Sequence, residues 1–142
     1  MKTIRRMISG IGLLCLLFVM PVGAQISPNG LDFATTFPFW VGNAKMPAGS
    51  YTITQSNLDT SILLIRDQSG SHSAYVEFTP TQQEQPHKST DVTFKKYGTT
   101  EYLNRIWVGG QDSGMQVEPT KAEQKLAASS NPETHSITGK AK

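Results

Sequence analysis

Residues 50–55 read Ser50-Tyr51-Thr52-Ile53-Thr54-Gln55, and this short stretch decides the fold class. Tyr51 and Ile53 alternate with threonines, so an extended chain places the apolar side chains on one face and the polar ones on the other. A period of two is typical of an antiparallel strand with one buried face. A helix would need apolar residues at every third or fourth position.

Similar runs recur along the chain at intervals of roughly ten residues, with turn residues between them. The predicted strands are residues 37–41, 50–55, 62–65, 73–79, 90–97 and 101–108. The connections are too short to contain the helices that parallel crossovers need. The sequence therefore predicts an all-β protein, a small antiparallel barrel or sandwich of about six to seven strands.

The C-terminal region predicts one short helix and then a tail. Thr120 and Glu123 have the spacing of a capping box, in which two side chains satisfy free amide groups at a helix start. We expect a helix near residues 120–128 that packs on the sheet through Leu126. Residues 129–142 are polar, with Ile137 as the single large apolar residue, and this composition predicts a disordered tail. A single β domain would then span residues 25–128.

Three features at the N-terminus predict a secretory signal peptide over residues 1–24. Lys2, Arg5 and Arg6 are basic, residues 8–20 form an uncharged apolar run, and Val-Gly-Ala follows at 22–24. The apolar run is shorter than the roughly 20 residues that a membrane-spanning helix needs. We expect cleavage after Ala24, a periplasmic or extracellular location, and no transmembrane segment in the mature chain.

Cleavage would change the charge of the chain and remove its single cysteine. The full sequence has 13 basic and 11 acidic residues, three of the basic ones before residue 25, so the mature net charge is 10 − 11 = −1. This balance gives no reason to expect a nucleic-acid partner. Cys15 is the only cysteine, so the mature chain has no disulfide. The full sequence contains 37% hydrophobic residues, which excludes a disordered chain.

The sequence contains no nucleotide-binding loop and no established catalytic motif. His72, His87 and His135 are the only histidines, and their spacing is not that of metal ligands, so neither a metal nor another cofactor is expected. Serines flank His72, but the Gly-x-Ser-x-Gly turn of a serine hydrolase is absent. A small hydrolase that uses His72 or His87 is the less favoured alternative to a non-catalytic protein.

The aromatic residues give the better indication of function. In the strand alternation, Trp40 lies opposite Phe37 and Phe39, and Trp107 lies opposite Ile106. A tryptophan that points away from the core either is covered by another element or marks a contact surface. Trp40, Trp107 and Tyr51 are the candidate contact residues.

These residues predict a non-catalytic binding or interaction module with an unknown protein or small-molecule partner. An envelope-associated structural protein is the alternative.

The segment Val41-Gly42-Asn43, continued by Pro47-Ala48-Gly49-Ser50-Tyr51-Thr52-Ile53, resembles one found in uncharacterised small exported β proteins of soil bacteria such as the Acidobacteria. Residues 61–66, 91–98, 102–108 and the Lys-Ala-Glu-rich stretch at 121–125 are also similar. The resemblance covers about residues 37–128. It implies a β fold and an exported location, and it implies no activity.

Overall fold

The computed structural model describes residues 25–142, and the predicted signal peptide lies outside the described residues. The strands are β1 (Leu31–Thr35), β2 (Phe39–Val41), β3 (Ala44–Met46), β4 (Gly49–Gln55), β5 (Ile62–Asp67), β6 (Ser73–Gln82), β7 (Asp91–Tyr97), β8 (Thr100–Trp107), β9 (Ser113–Val117), β10 (Glu133–Thr138) and β11 (Lys140–Ala141). One helix, α1 (Lys121–Ser129), precedes β10. The all-β class is confirmed, but the predicted six to seven strands are too few.

The eleven strands form one mixed sheet in the hydrogen-bonded order β10-β7-β8-β9-β6-β5-β4-β1-β11. Strand β2 pairs with β3 and, through a parallel bridge between Trp40 and Tyr102, with β8. The sheet is open, so the predicted closed barrel is wrong. The exclusion of parallel pairing is also wrong, because it holds for strands joined by short connections, whereas β2 and β8 are far apart in the chain.

Strand β3 lies within a segment that the sequence indicates as loop. Gly42 and Asn43 form a two-residue turn that pairs Val41 with Ala44. Gly42 has a φ of 58°, a left-handed value that the first central position of a type II′ turn requires and that glycine adopts without strain. The turn therefore folds β3 back onto β2.

The C-terminal residues form strands, and the prediction of a disordered tail is wrong for residues 133–141. β10 pairs with β7, and β11 pairs with β1 at the other end of the sheet. Only Gly139 separates β10 from β11, so one continuous segment of chain supplies the strands at both ends of the sheet. Composition missed it because main-chain hydrogen bonds maintain this polar strand, with half-buried Ile137 packed against the core.

The helix begins as the sequence predicts. Thr120 is the N-cap, and its hydroxyl accepts a hydrogen bond from the Glu123 amide. The Glu123 carboxylate does not complete the capping box; it accepts a hydrogen bond from the Tyr97 hydroxyl on β7. Glu123 is buried and Leu126 only half-buried, so a polar contact fixes this side of the helix on the sheet.

Four aromatic rings occupy the centre of the hydrophobic core. Phe33, Phe39, Tyr51 and Phe94 come from four different strands, and their ring centroids lie 5.1–6.3 Å apart. Tyr51, Phe39 and Phe94 have no exposed surface. Phe94 of β7 thus packs with rings from β1 and β2, which lie far from it in the chain, around one apolar centre.

A β-bulge between β7 and β8 reverses the alternation that the sequence suggests. Phe94 pairs with Leu103 and Thr93 pairs with Arg105, so Asn104 is the additional residue. Leu103 and Ile106 consequently both belong to the core cluster, although they are three residues apart. Leu103 therefore belongs to the core cluster, whereas Trp107 lies outside it.

Candidate functional site

Every histidine of the described chain forms a hydrogen bond with a carboxylate. The pairs are His72 Nδ1–Asp67 Oδ2 at 3.0 Å, His87 Nε2–Asp91 Oδ2 at 2.7 Å and His135 Nε2–Glu101 Oε2 at 2.7 Å. Each pair joins two separate elements or the two ends of a loop. The histidines therefore act as fixed contacts between segments.

His87 is the histidine with the most extensive polar surroundings. Its Nδ1 lies 3.1 Å from the Gln83 side-chain amide, and its Nε2 contacts Asp91. Ser89 donates a hydrogen bond to the same Asp91 oxygen at 2.9 Å. A serine nucleophile needs the imidazole itself as its base, with the carboxylate on the far ring nitrogen. Here Ser89 and His87 both contact one oxygen of Asp91, so the imidazole does not lie between the serine and the carboxylate as a catalytic triad requires.

His72 lies half-exposed in the turn between β5 and β6. The hydrogen bond between His72 and Asp67 is the main cause that lowers the pKa of the Asp67 carboxyl. The neighbouring Ser71 hydroxyl contacts Ser69 at 3.0 Å. Within residues 25–142, neither flanking serine forms a hydrogen bond with the His72 ring, and no group of three or more His, Cys, Asp or Glu side chains has an arrangement that could hold a metal ion.

Trp107 is buried on the outer face of β8, outside the core cluster. The His87 ring stacks on it at a centroid distance of 5.1 Å and an angle of 13°, and the Arg105 guanidinium lies 5.6 Å from its ring. Its ring also packs against Gly114 of β9. Trp107 is thus covered by other elements, which is one of the two alternatives that its alternation left open, and it does not belong to an exposed contact surface.

A row of planar polar side chains continues along the outer face from Trp107. Arg105 donates two hydrogen bonds to Gln116 Oε1, at 3.1 and 2.6 Å. The Gln116 amide donates to Asn104 Oδ1 at 3.2 Å. The bulge brings these groups together, because it leaves two consecutive residues of β8, Asn104 and Arg105, outside the core cluster.

Trp40 belongs to a second aromatic group at the other end of β8. Its indole is half-buried and stacks on Tyr102 at 6.5 Å and 23°. Tyr102 meets Tyr97 edge-on at 5.9 Å, and Tyr97 donates to Glu123 Oε2 at 3.1 Å. We call Trp40, Tyr97, Tyr102 and Glu123 the outer aromatic cluster. Trp40 is its most accessible member.

Burial controls the ionisation of the outer aromatic cluster. Desolvation, followed by the nearby Glu123 charge, raises the pKa of Tyr97 to about 12. Burial likewise raises the pKa of Glu123, which the Tyr97 hydrogen bond and the charge of Lys95 partly counteract. The raised pKa values favour the neutral forms of the Tyr97 hydroxyl and the Glu123 carboxyl.

Tyr51 is not part of any outer surface. It has no exposed area, contacts Phe33 and Phe39 in the core, and donates a hydrogen bond from its hydroxyl to the Pro47 carbonyl. The alternation of residues 50–55 predicts this inward direction correctly, and the assignment of Tyr51 as a contact residue is wrong.

The sequence does not reveal Tyr97, Tyr102, Asn104, Arg105 and Gln116 as one surface. The signal that could have indicated this surface is the bulge at Asn104, but the bulge leaves no recognisable pattern of residues in the sequence.

No protein-family model matches the chain, and no match was found among curated proteins or solved structures. Within residues 25–142, no helix combines the length and hydropathy needed to span a membrane.

Gly114→Ala tests the packing of Trp107. A Cβ at Gly114 would lie 2.6 and 2.8 Å from two Trp107 ring carbons and 2.9 Å from the Ile106 carbonyl oxygen. We expect a loss of about 1–3 kcal/mol in the free energy of unfolding, measured with urea. The loss should be smaller when Trp107→Leu is also present. An equal loss in both backgrounds would show that the indole does not press on Gly114.

Glu123→Gln tests the buried carboxyl. Because the folded-state pKa is raised above its ordinary value of 4.5, stability from the protonated form is complete below that value and is lost as pH rises through the raised pKa. The glutamine stays neutral, so we expect the stability of the variant to fall less than that of the unchanged chain as pH rises above 4.5. Glu84→Gln, on an exposed loop, is the matched control. Equal pH profiles for both variants would refute the prediction.

Proposed function

We propose that the protein is an exported, non-catalytic binding module whose contact surface is centred on Trp40. The observation that carries this proposal is the position of the Trp40 indole. Phe39 and Val41, the residues on either side, are fully buried in the core, so the strand holds the indole outward on a rigid support. Stacking on Tyr102 restricts it further.

A pre-ordered tryptophan suits recognition. The indole offers a large apolar surface together with one hydrogen-bond donor. Since its rotamer is already restricted by Tyr102, binding would cost less side-chain entropy than on a mobile loop. Tryptophan is also among the residues that most often dominate the binding energy of an interface.

The polar row of Asn104, Arg105 and Gln116 would extend the contact surface along β8. Trp40 pairs with Tyr102 and Trp107 lies five residues further on, which corresponds to about 15 Å along a strand. These side chains are held by one another and by the sheet. A partner with an apolar surface beside hydrogen-bonding groups, either a protein or a small molecule, fits this surface. The mature net charge of −1 gives no support for a nucleic acid.

The contacts of the histidines support a role without catalysis. His87 has both ring nitrogens occupied, and Ser89 is directed at the carboxylate. His72 contacts Asp67 in an exposed turn. Covalent catalysis requires a nucleophile beside a base that activates it. Among the described residues, neither the His72 site nor the His87 site has a serine hydrogen-bonded to the imidazole.

Export is the second part of the proposal, and it rests on residues 1–24. The basic start, short apolar run and small residues before Gln25 support cleavage by a signal peptidase. N-terminal sequencing of the protein from the cell envelope or medium should give Gln25 as the first residue. An N-terminus at Met1 in a membrane fraction would instead indicate an uncleaved anchor.

Trp40→Ala tests the contact surface. The immobilised mature protein is incubated with envelope extract and with a panel of small molecules, and retained material is identified by mass spectrometry. We expect a retained partner whose affinity falls about tenfold or more in Trp40→Ala. Leu58→Ala is the control, because Leu58 is 99% exposed on a separate loop. Circular dichroism verifies that both variants are folded.

Two results would contradict the proposal. Partner retention that does not change in Trp40→Ala would remove the indole from the contact surface. Hydrolysis in a broad substrate screen that His87→Ala or His72→Ala abolishes would show that the protein is an enzyme.

A further inference from the structure

The outward face of β4, β5 and β6 carries more apolar surface than a solvated sheet face needs. Tyr75 is 69% exposed, the highest value for any aromatic side chain among residues 25–142. It pairs across the strands with Leu64, and half-buried Ile62 is the next outward residue of β5. Solvated faces of antiparallel sheets ordinarily carry polar residues at these positions. We call this surface the Leu64–Tyr75 face.

A cleft of about 480 Å³ borders the same face. Leu64 is the one apolar residue among the described residues that line it, which also include Thr52, Thr54, Arg66, Asp67, Gln68 and Lys142. The cleft is therefore mainly polar, and the apolar surface of the face is that of Ile62, Leu64 and Tyr75.

The charges of the face lie at opposite ends of its apolar centre. Glu77 pairs with Ile62 at one end, and Arg66 pairs with Ser73 at the other, about 13 Å away along the strands. Within residues 25–142, neither Arg66 nor Glu77 forms an ion pair.

This distribution is self-complementary. A two-fold axis that crosses the strands at Leu64 and Tyr75 reverses the strand direction of the second copy. Arg66 of each copy then faces Glu77 of the other, and the Leu64–Tyr75 pairs meet at the centre. Isologous dimers use one surface patch twice in this way, so each attractive contact occurs two times.

We propose that two copies of the chain associate through the Leu64–Tyr75 face, with Arg66 of each opposite Glu77 of the other. Three strands about 4.8 Å apart and about 17–20 Å long give a few hundred Å² per copy, below the roughly 800 Å² of a standard interface. The dimer is therefore weak and depends on concentration. The association is independent of Trp40, which belongs to the β2–β8 region.

Charge reversal tests the pairing. Sedimentation velocity of the full mature chain over a range of concentrations measures the monomer–dimer equilibrium. Arg66→Glu and Glu77→Arg should each raise the dimer dissociation constant about tenfold or more, because each variant brings like charges together twice. The double variant R66E/E77R restores the attraction and should return the constant to within about threefold of the original. Tyr75→Ala should abolish the dimer.

Lys88→Glu is the matched control. Lys88 is exposed on the loop before β7, and its reversal gives the same mature net charge of −3 as Arg66→Glu. We expect no change in the dissociation constant for this variant. A chain that sediments as a monomer at every concentration would overturn the proposal. So would a double variant that dimerises no better than either single variant.

Discussion

The packing of Phe33, Phe39, Tyr51 and Phe94 is the constraint on which the rest of the structure depends. Phe33, Phe39 and Tyr51 come from β1, β2 and β4, which are close in the chain, and Phe94 comes from β7. Five of their six ring pairs have centroids 5.1–6.3 Å apart at the centre of the core. Their burial draws the two halves of the sheet together. It also fixes β2 beside β8, and the inward direction of Phe39 forces its neighbour Trp40 outward.

The outer face of β8 differs from that of an ordinary solvated sheet. The bulge at Asn104 allows Leu103 and Ile106 to enter the core while Tyr102, Arg105 and Trp107 stay outside it. The loop 83–90 covers Trp107 through His87, and β9 packs against Trp107 through Gly114. The helix α1 contacts the neighbouring Tyr97 ring of β7 through Glu123. Two layers of ordered side chains on one strand make a stiff support, which is what a preformed contact surface requires.

The sequence predicts those parts of the molecule that depend on local pattern. The alternation at 50–55 places Tyr51 and Ile53 inward, and the Thr120 cap begins the helix where the spacing indicates. The parallel bridge of β2 and the strand at 133–138 depend on partners distant in the chain, so no local pattern contains them. The bulge lies between the consecutive strands β7 and β8, but it leaves no recognisable residue pattern. The same holds for the site: Trp40 is identifiable from its alternation, whereas the covering of Trp107 by His87 arises only in three dimensions.

Native mass spectrometry of the mature protein distinguishes a filled interior with an external contact surface from a sheet that encloses a ligand. The protein should be purified without denaturation, so that any molecule enclosed in the sheet remains bound. With a filled interior, we expect a mass per chain equal to that of residues 25–142, and any added mass should be lost in Trp40→Ala as well as on unfolding. An added mass that disappears on unfolding but persists in Trp40→Ala would contradict a filled interior, because the aromatic centre would then leave space for a ligand and the protein would be a carrier.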